Sequence, residues 1–146
     1  FMTLGAFAII SHVTEDANNE DMSSFAGLYK RSPFLAHSMT VFLVSMAGLP
    51  ITAGFVGKVY IFLGVMTSQM VWLAVIMIVT STISFFYYFG IIKQMYMRAP
   101  KEEDSMLKAP TSISLIVTIS LVGTIGLALF ANMLINYMNG LNWIIL

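Results

Sequence analysis

The sequence predicts an all-α integral membrane protein with one partial and three full spans. Three observations carry that expectation. Hydrophobic residues make up 58% of the 146 and charged residues only 10%, against about 25% in soluble domains. All charges except Lys58 and Lys93 collect in two stretches, 14–33 and 98–111. The apolar runs 34–68, 71–97 and 112–138 each exceed the roughly 20 residues a helix needs to cross a bilayer.

Composition also excludes several functions. The formal net charge is zero and no basic stripe appears, which argues against a nucleic-acid partner. The chain has no cysteine, so disulfides, iron–sulfur ligation and thiol catalysis are ruled out. Two histidines and seven carboxylates remain, the acids all read as loop residues, and a metal cluster is not expected.

Residues 1–13 read as the C-terminal half of a membrane helix. The opening FMTLGAFAII lacks the basic leader of a signal peptide, so the chain reads as a fragment of a larger polytopic protein. His12 is either an interfacial residue at the helix end or a member of a proton relay. In the polar stretch 14–33, Asn18 and Asn19 mark a turn. Asp21, Ser23 or Ser24 is placed to cap a short amphipathic helix with Phe25, Leu28 and Tyr29 on one face, lying along the membrane surface.

The run 34–68 is too long for a single upright span. As one helix it would measure roughly 52 Å, against a hydrocarbon core of about 30 Å. Gly48-Leu49-Pro50 interrupts it, because Pro50 lacks a backbone donor and pushes Leu49 out of helical geometry. Non-helical backbone at membrane depth survives only inside protein or beside a water-filled cavity. Lys58 lies eight residues beyond Pro50, where an unpartnered charge costs at least about 2.5 kcal/mol. A break and a charge together point to an ion or proton route. Apolar surroundings disfavour a charged ammonium, which suits a lysine that takes and releases a proton. The alternative is a Lys58 held charged by carbonyls freed at the break, or by an acid on another helix. In the proton-route reading Gly48 and Pro50 form the hinge and water entry, with Ser45 and Thr52 as polar lining. Gly54 and Gly57 let a neighbouring helix approach. His37 is placed for an interfacial role.

Residues 71–97 follow a short uncharged connection at 68–70. The row Thr80, Ser81, Thr82, Ser84 suits helix–helix contacts, and Tyr87, Tyr88 and Tyr96 suit an aromatic belt. Lys93, near the end, is placed to snorkel toward headgroups, with a proton-route role as the weaker reading. The second charged stretch, 98–111, is punctuated by Pro100 and Pro110, with Thr111 or Ser112 capping the last span, 112–138. Gly123 and Gly126 supply small packing residues there, and a fraying tail carries Trp143 as interface anchor. Lys and Arg concentrate in 14–33 and 98–111, so both stretches are expected in the cytoplasm and the C-terminus outside.

The stretch MTVFLVSMAGLPITAGFVGKVYIF (39–62) resembles the broken twelfth helix of the antiporter-like membrane subunits of respiratory complex I, NADH-quinone oxidoreductase. The subunit N branch of that family fits best, through LGAFAII (4–10), GLYKRSPFLA (27–36) and FFYYFGIIKQMY (85–96). The resemblance covers residues 1–100 well and the last span by position only. It implies that Lys58 is the terminal titratable residue of a chain of buried charges and that quinone reduction elsewhere drives its protonation and release. His12 matches no family motif. The resemblance also implies no cofactor in this chain: NAD, FMN, iron–sulfur clusters and quinone would be held by other subunits. Partners are then other membrane subunits, neighbouring antiporter-like ones among them, and the lipid bilayer; the location is a bacterial inner membrane. The rival readings are an antiporter-like subunit of a cation/proton antiporter or membrane-bound hydrogenase, and a non-transporting structural subunit with Lys58 as a neutralised packing residue.

Overall fold

A computed structural model of the chain describes residues 1–17, 21–50, 52–99 and 106–145. Every regular element among them is helical. In chain order they are α1 (Met2–Ala17), a 3-10 turn (Met22–Phe25), α2 (Leu28–Arg31), α3 (Pro33–Ala47), α4 (Ala53–Thr67), α5 (Val71–Met97) and α6 (Thr111–Ile145). The turn expected at Asn18–Asn19 and the acids and Pro100 of the second charged stretch lie outside the described residues, as does the Trp143 side chain.

α3 is the hub. It packs against α1, α2, α4, α5 and α6, and its Leu35, Ala36, Met39 and Phe42 are fully buried. Pro33 opens it at the first helical position, where its missing N–H costs nothing. α1 and α6 close over it through a glycine contact. A Cβ on Gly5 would collide with the Phe42 ring and come within 2.8 Å of Ser120 Cβ. That close approach joins three helices at one point, with Ile9, Val13 and Val117 continuing the core.

The segment 21–32 differs from expectation. Gly27, in the left-handed region at φ 65°, splits it into the 3-10 turn and α2. Phe25 and Leu28 are buried in the core instead of lying on the bilayer surface. The Gly27 N–H donates to the Gln94 carbonyl of α5 at 3.3 Å, which pulls the segment inward. Arg31, read as a loop cation, is only 5% exposed. Asp21 precedes the 3-10 turn without a side-chain capping bond.

α1 runs four residues past the expected end, so Glu15 and Asp16 belong to its last turn and the acids do not all lie in loops. α6 likewise continues to Ile145, through the stretch expected to fray. α5 matches its expected bounds. It is sparsely covered, with only Ala74, Ile91 and Met95 buried among its residues. Its polar row makes no bridges to neighbours among the described residues. The Thr80, Thr82 and Ser84 hydroxyls donate to the Ile76, Ile78 and Thr80 carbonyls of the same helix at 2.8–2.9 Å. A helix can absorb hydroxyls this way without a partner, which is why their presence did not require a contact. Val71–Met97 and Thr111–Phe130 are each long and apolar enough to cross a membrane.

α3 and α4 do not form a hairpin. A Cβ on Gly54 would collide with the Ser45 carbonyl, while Lys58, one turn later, reaches Ala47 and Gly48. Partner numbers rise together, so α4 continues in the direction of α3, displaced sideways. Gly54→Ala is therefore expected to cost about 1–3 kcal/mol by overpacking against backbone. Gly64→Ala, which meets nothing within 4 Å, should be neutral or better, and thermal unfolding of the assembled protein in detergent compares the two.

Candidate functional site

The break between α3 and α4 is built by local rules. α3 ends at Gly48, whose φ of 79° lies in the left-handed region. The Gly48 N–H donates to the Val44 and Ser45 carbonyls, and the Leu49 N–H reaches back to Val44 at 3.3 Å. This six-to-one closure uses up carbonyls that the helix end would leave orphaned. Pro50 has no N–H to extend the pattern. α4 then starts at Thr52, whose Oγ1 accepts from the Phe55 N–H at 3.3 Å and donates to the Leu49 carbonyl at 2.7 Å.

The Ala47 carbonyl is met by a side chain. Lys58 Nζ donates to it at 2.8 Å. The lysine arm crosses directly over Gly48, where a Cβ would stand 2.8 Å from Lys58 Cδ and 3.1 Å from Nζ. Gly48 thus serves twice, supplying the left-handed turn and leaving room for the lysine. The structure brings the Lys58 amine to a carbonyl freed at the break, a bond that either protonation state of the lysine can donate.

Lys58 lines a groove of about 470 Å³ between the break and the middle of α5. Ala47, Gly48 and Leu49 form one wall, Phe55, Val59 and Phe62 the second, and Met77, Ser81, Thr82 and Phe85 of α5 the third. No carboxylate is among these lining residues. Part of the polar row of α5 therefore faces the lysine, a role that spacing alone did not reveal because α4 and α5 are joined by a turn whose direction is set by Gln69 at φ 57°.

The other singled-out residues fall elsewhere. Ser45 and Thr52 line a second cavity, of about 290 Å³, together with Thr40 and Thr124. They do not line the Lys58 groove. His12 lies on α1, outside both cavities, and its Nε2 is enclosed with no hydrogen-bond partner among the described residues. Lys93 is exposed four residues before the end of α5. Gly57 has open space around it. His37 is exposed at the start of α3, with Nδ1 2.6 Å from the Pro33 carbonyl. It joins Tyr29 and Tyr96, which stack with centroids 5.1 Å apart. Tyr96 thus belongs to a built cluster, whereas Tyr87 is 57% exposed.

A helix broken in this way beside a lysine, in a chain with two helices long and apolar enough to cross a membrane, fits an antiporter-like transmembrane protein. Residues 1–84 match the family described as NADH:quinone oxidoreductase/Mrp antiporter, TM, and the chain belongs to that family of integral membrane proteins. Its relatives include NADH-quinone oxidoreductase subunit N of Brevibacillus brevis, 45% identical over 136 residues, which is 93% of this chain and 26% of that protein. Subunit N of Anoxybacillus flavithermus is 46% identical over 140 residues, 94% of this chain and 28% of that protein. Subunit N of Bacillus anthracis is 45% identical over 119 residues, 80% of this chain and 23% of that protein. The chain spans about a quarter of the length of these relatives. Alignments of 93–94% of the chain necessarily include part of α6, so the similarity extends further than the motifs that suggested it.

Gly48→Ala tests the site's geometry. Left-handed backbone costs a non-glycine residue about 1–2 kcal/mol, and the new methyl would displace the Lys58 arm. The expected outcome is loss of the Lys58–Ala47 contact in the structure of the variant, with the helices otherwise assembled.

Proposed function

We propose that this chain is part of a proton-translocating membrane subunit of NADH-quinone oxidoreductase, and that Lys58 is its titratable relay. The observation that carries the reading is the Lys58 ammonium donating to the Ala47 carbonyl, at a helix break that opens on a groove lined by Ser81 and Thr82. A carbonyl holds a charged ammonium without fixing its proton, as a permanent carboxylate partner would. Subunit N is the name carried by the relatives cited above, which favours it over the antiporter branch of the same family.

In this reading the chain does no redox chemistry. NAD, FMN, iron–sulfur clusters and quinone belong to other subunits, and quinone reduction there changes buried charges that drive proton uptake and release at Lys58. Partners are the other membrane subunits of the complex, neighbouring antiporter-like ones included, in a bacterial inner membrane. Gly48 and Pro50 form the hinge. His12 is a secondary relay candidate, since its enclosed Nε2 has an unused hydrogen-bonding position for water or for a group on another helix. Lys93, exposed near the end of α5, fits a snorkelling cation better than a relay. The excess of Lys and Arg supports a cytoplasmic position for 14–33 and 98–111 in this reading.

The test compares Lys58→Met and Lys58→Arg with wild type in vesicles bearing the intact complex, with assembly checked in each preparation. Removing a positioned proton carrier typically costs about a hundredfold or more, so Lys58→Met should abolish measurable pumping. Lys58→Arg keeps a donor for Ala47 but does not deprotonate, and should fail as well. Normal pumping by Lys58→Met would reduce Lys58 to a packing residue.

A further inference from the structure

The outer face of α5 carries one continuous stripe. Ile76, Val79, Ile83, Phe86, Phe89 and Lys93 follow one another at steps of three and four residues, the spacing of one helix face, and all are exposed. Trp72 stands at the start of the stripe and Tyr96 at its end, both exposed. They are roughly 36 Å apart along the axis, which suits a hydrocarbon core of about 30 Å with an aromatic side chain at each border. The apolar members of the stripe are bulky, whereas helices packed together in a membrane favour small residues at their contacts. This face suits lipid chains.

The two ends of the stripe differ in charge. The connection 68–70 before Trp72 has none. At the other end the exposed Lys93 sits one turn before Tyr96, whose ring stacks on Tyr29 of α2 with centroids 5.1 Å apart. His37 of α3 meets both rings edge-on, at 5.6 and 6.2 Å. The cluster is held in place from α3: His37 Nδ1 lies 2.6 Å from the Pro33 carbonyl, and Tyr96 Oη lies 3.3 Å from Thr40 Oγ1. The sequences of α2, α3 and α5 contain no carboxylate, and their lysines and arginine are Lys30, Arg31, Lys58 of the neighbouring α4 being excluded, and Lys93. Lys30, next to Tyr29, is exposed as well. A positive, phenol-bearing patch therefore closes one end of an apolar stripe.

We propose that this end of α5 is a headgroup site for an anionic phospholipid, with the phosphate at Lys93, Tyr29 and Tyr96 and an acyl chain lying along Phe89, Phe86 and Ile83. An ammonium offers a phosphate charge-assisted hydrogen bonds, and phenol hydroxyls can add neutral ones. Phe86 lies roughly 10 Å along the axis from Lys93, at the depth an acyl chain reaches below its phosphate. Charge decides for a lipid over another apolar helix, because a purely apolar partner would leave the Lys93 ammonium unmatched. Tyr29 and Tyr96 come from different helices, so a lipid held by both ties the entry of the broken span to the end of α5. The proposal needs only the membrane location of the family and is independent of the relay at Lys58.

The test uses the intact complex in phosphatidylcholine bilayers, with a trace of a lipid carrying a photoactivatable group on its acyl chain. The probe is phosphatidylglycerol in one arm and phosphatidylcholine in the other. Peptide mapping after irradiation should find the phosphatidylglycerol label at 83–89, several-fold above the phosphatidylcholine label, with the excess falling as salt is raised. Lys93→Gln should remove most of that excess, about fivefold being the contribution of one lysine beside an anionic surface. Lys93→Arg, which keeps the charge, should retain it, and assembly is checked in both variants. Equal labelling by the two probes, an excess that ignores salt or survives Lys93→Gln, or a stripe left unlabelled because another subunit covers it would overturn the proposal. Loss of the excess on adding inorganic phosphate at constant ionic strength would mean a site for the free anion and would overturn the lipid assignment.

Discussion

The structure depends on one constraint: a polypeptide broken in an apolar setting must account for every backbone group it frees. Hydrocarbon offers no hydrogen bonds, so each orphaned N–H or carbonyl must find its partner inside the protein or in water. Among the described residues, the break meets part of that demand with local means. Gly48 and Leu49 turn back on α3, Thr52 caps α4, and the Ala47 carbonyl takes Lys58. The lysine is thus part of how the break is held as well as a candidate for what the break does.

The rest of the fold serves that arrangement. α3 is gripped from several sides, through the Gly5–Phe42 contact and through α2, whose burial pins the entry to the span. α4 overlaps α3 only because Gly54 leaves space for the Ser45 carbonyl. The two cavities follow from this offset. Sideways displacement of two half-helices opens a space on either side of the joint, one bounded by α5 and the other by α6.

Much of this was legible in the sequence. Gly48-Leu49-Pro50 could only interrupt a helix, and Lys58 could not sit in an apolar run without a reason. The bounds of α5 were readable because uncharged turn residues precede it and Arg98 with Pro100 follow it. Other features depended on three-dimensional neighbours. Phe25 and Leu28 show the same spacing whether they meet lipid or the core, and only the Gly27–Gln94 bond decides. Ser45 and Thr52 sit close to the break in sequence, as Lys58 does, but helical rotation puts them on the opposite side. Arg31 looked like a loop cation because its burial comes from elements distant in sequence. The continuation of α6 to Ile145 runs through Asn and Gly residues that favour helix ends, and tertiary context outweighs weak local preference there.

The sideways offset has an electrical consequence. A helix carries partial negative charge at its C-terminus and partial positive charge at its N-terminus, each near half an elementary charge. At an intact span these ends sit outside the bilayer. Here the C-terminus of α3 and the N-terminus of α4 are brought together inside the bundle, and Lys58 reaches toward the former. An ammonium donor makes a hydrogen bond roughly twice as strong as a neutral one. In the proposed relay, the tie across the joint is tighter when Lys58 carries its proton and slacker when it does not, so the joint's stiffness would follow its occupancy. Charge and mechanical coupling between the two half-helices become the same variable.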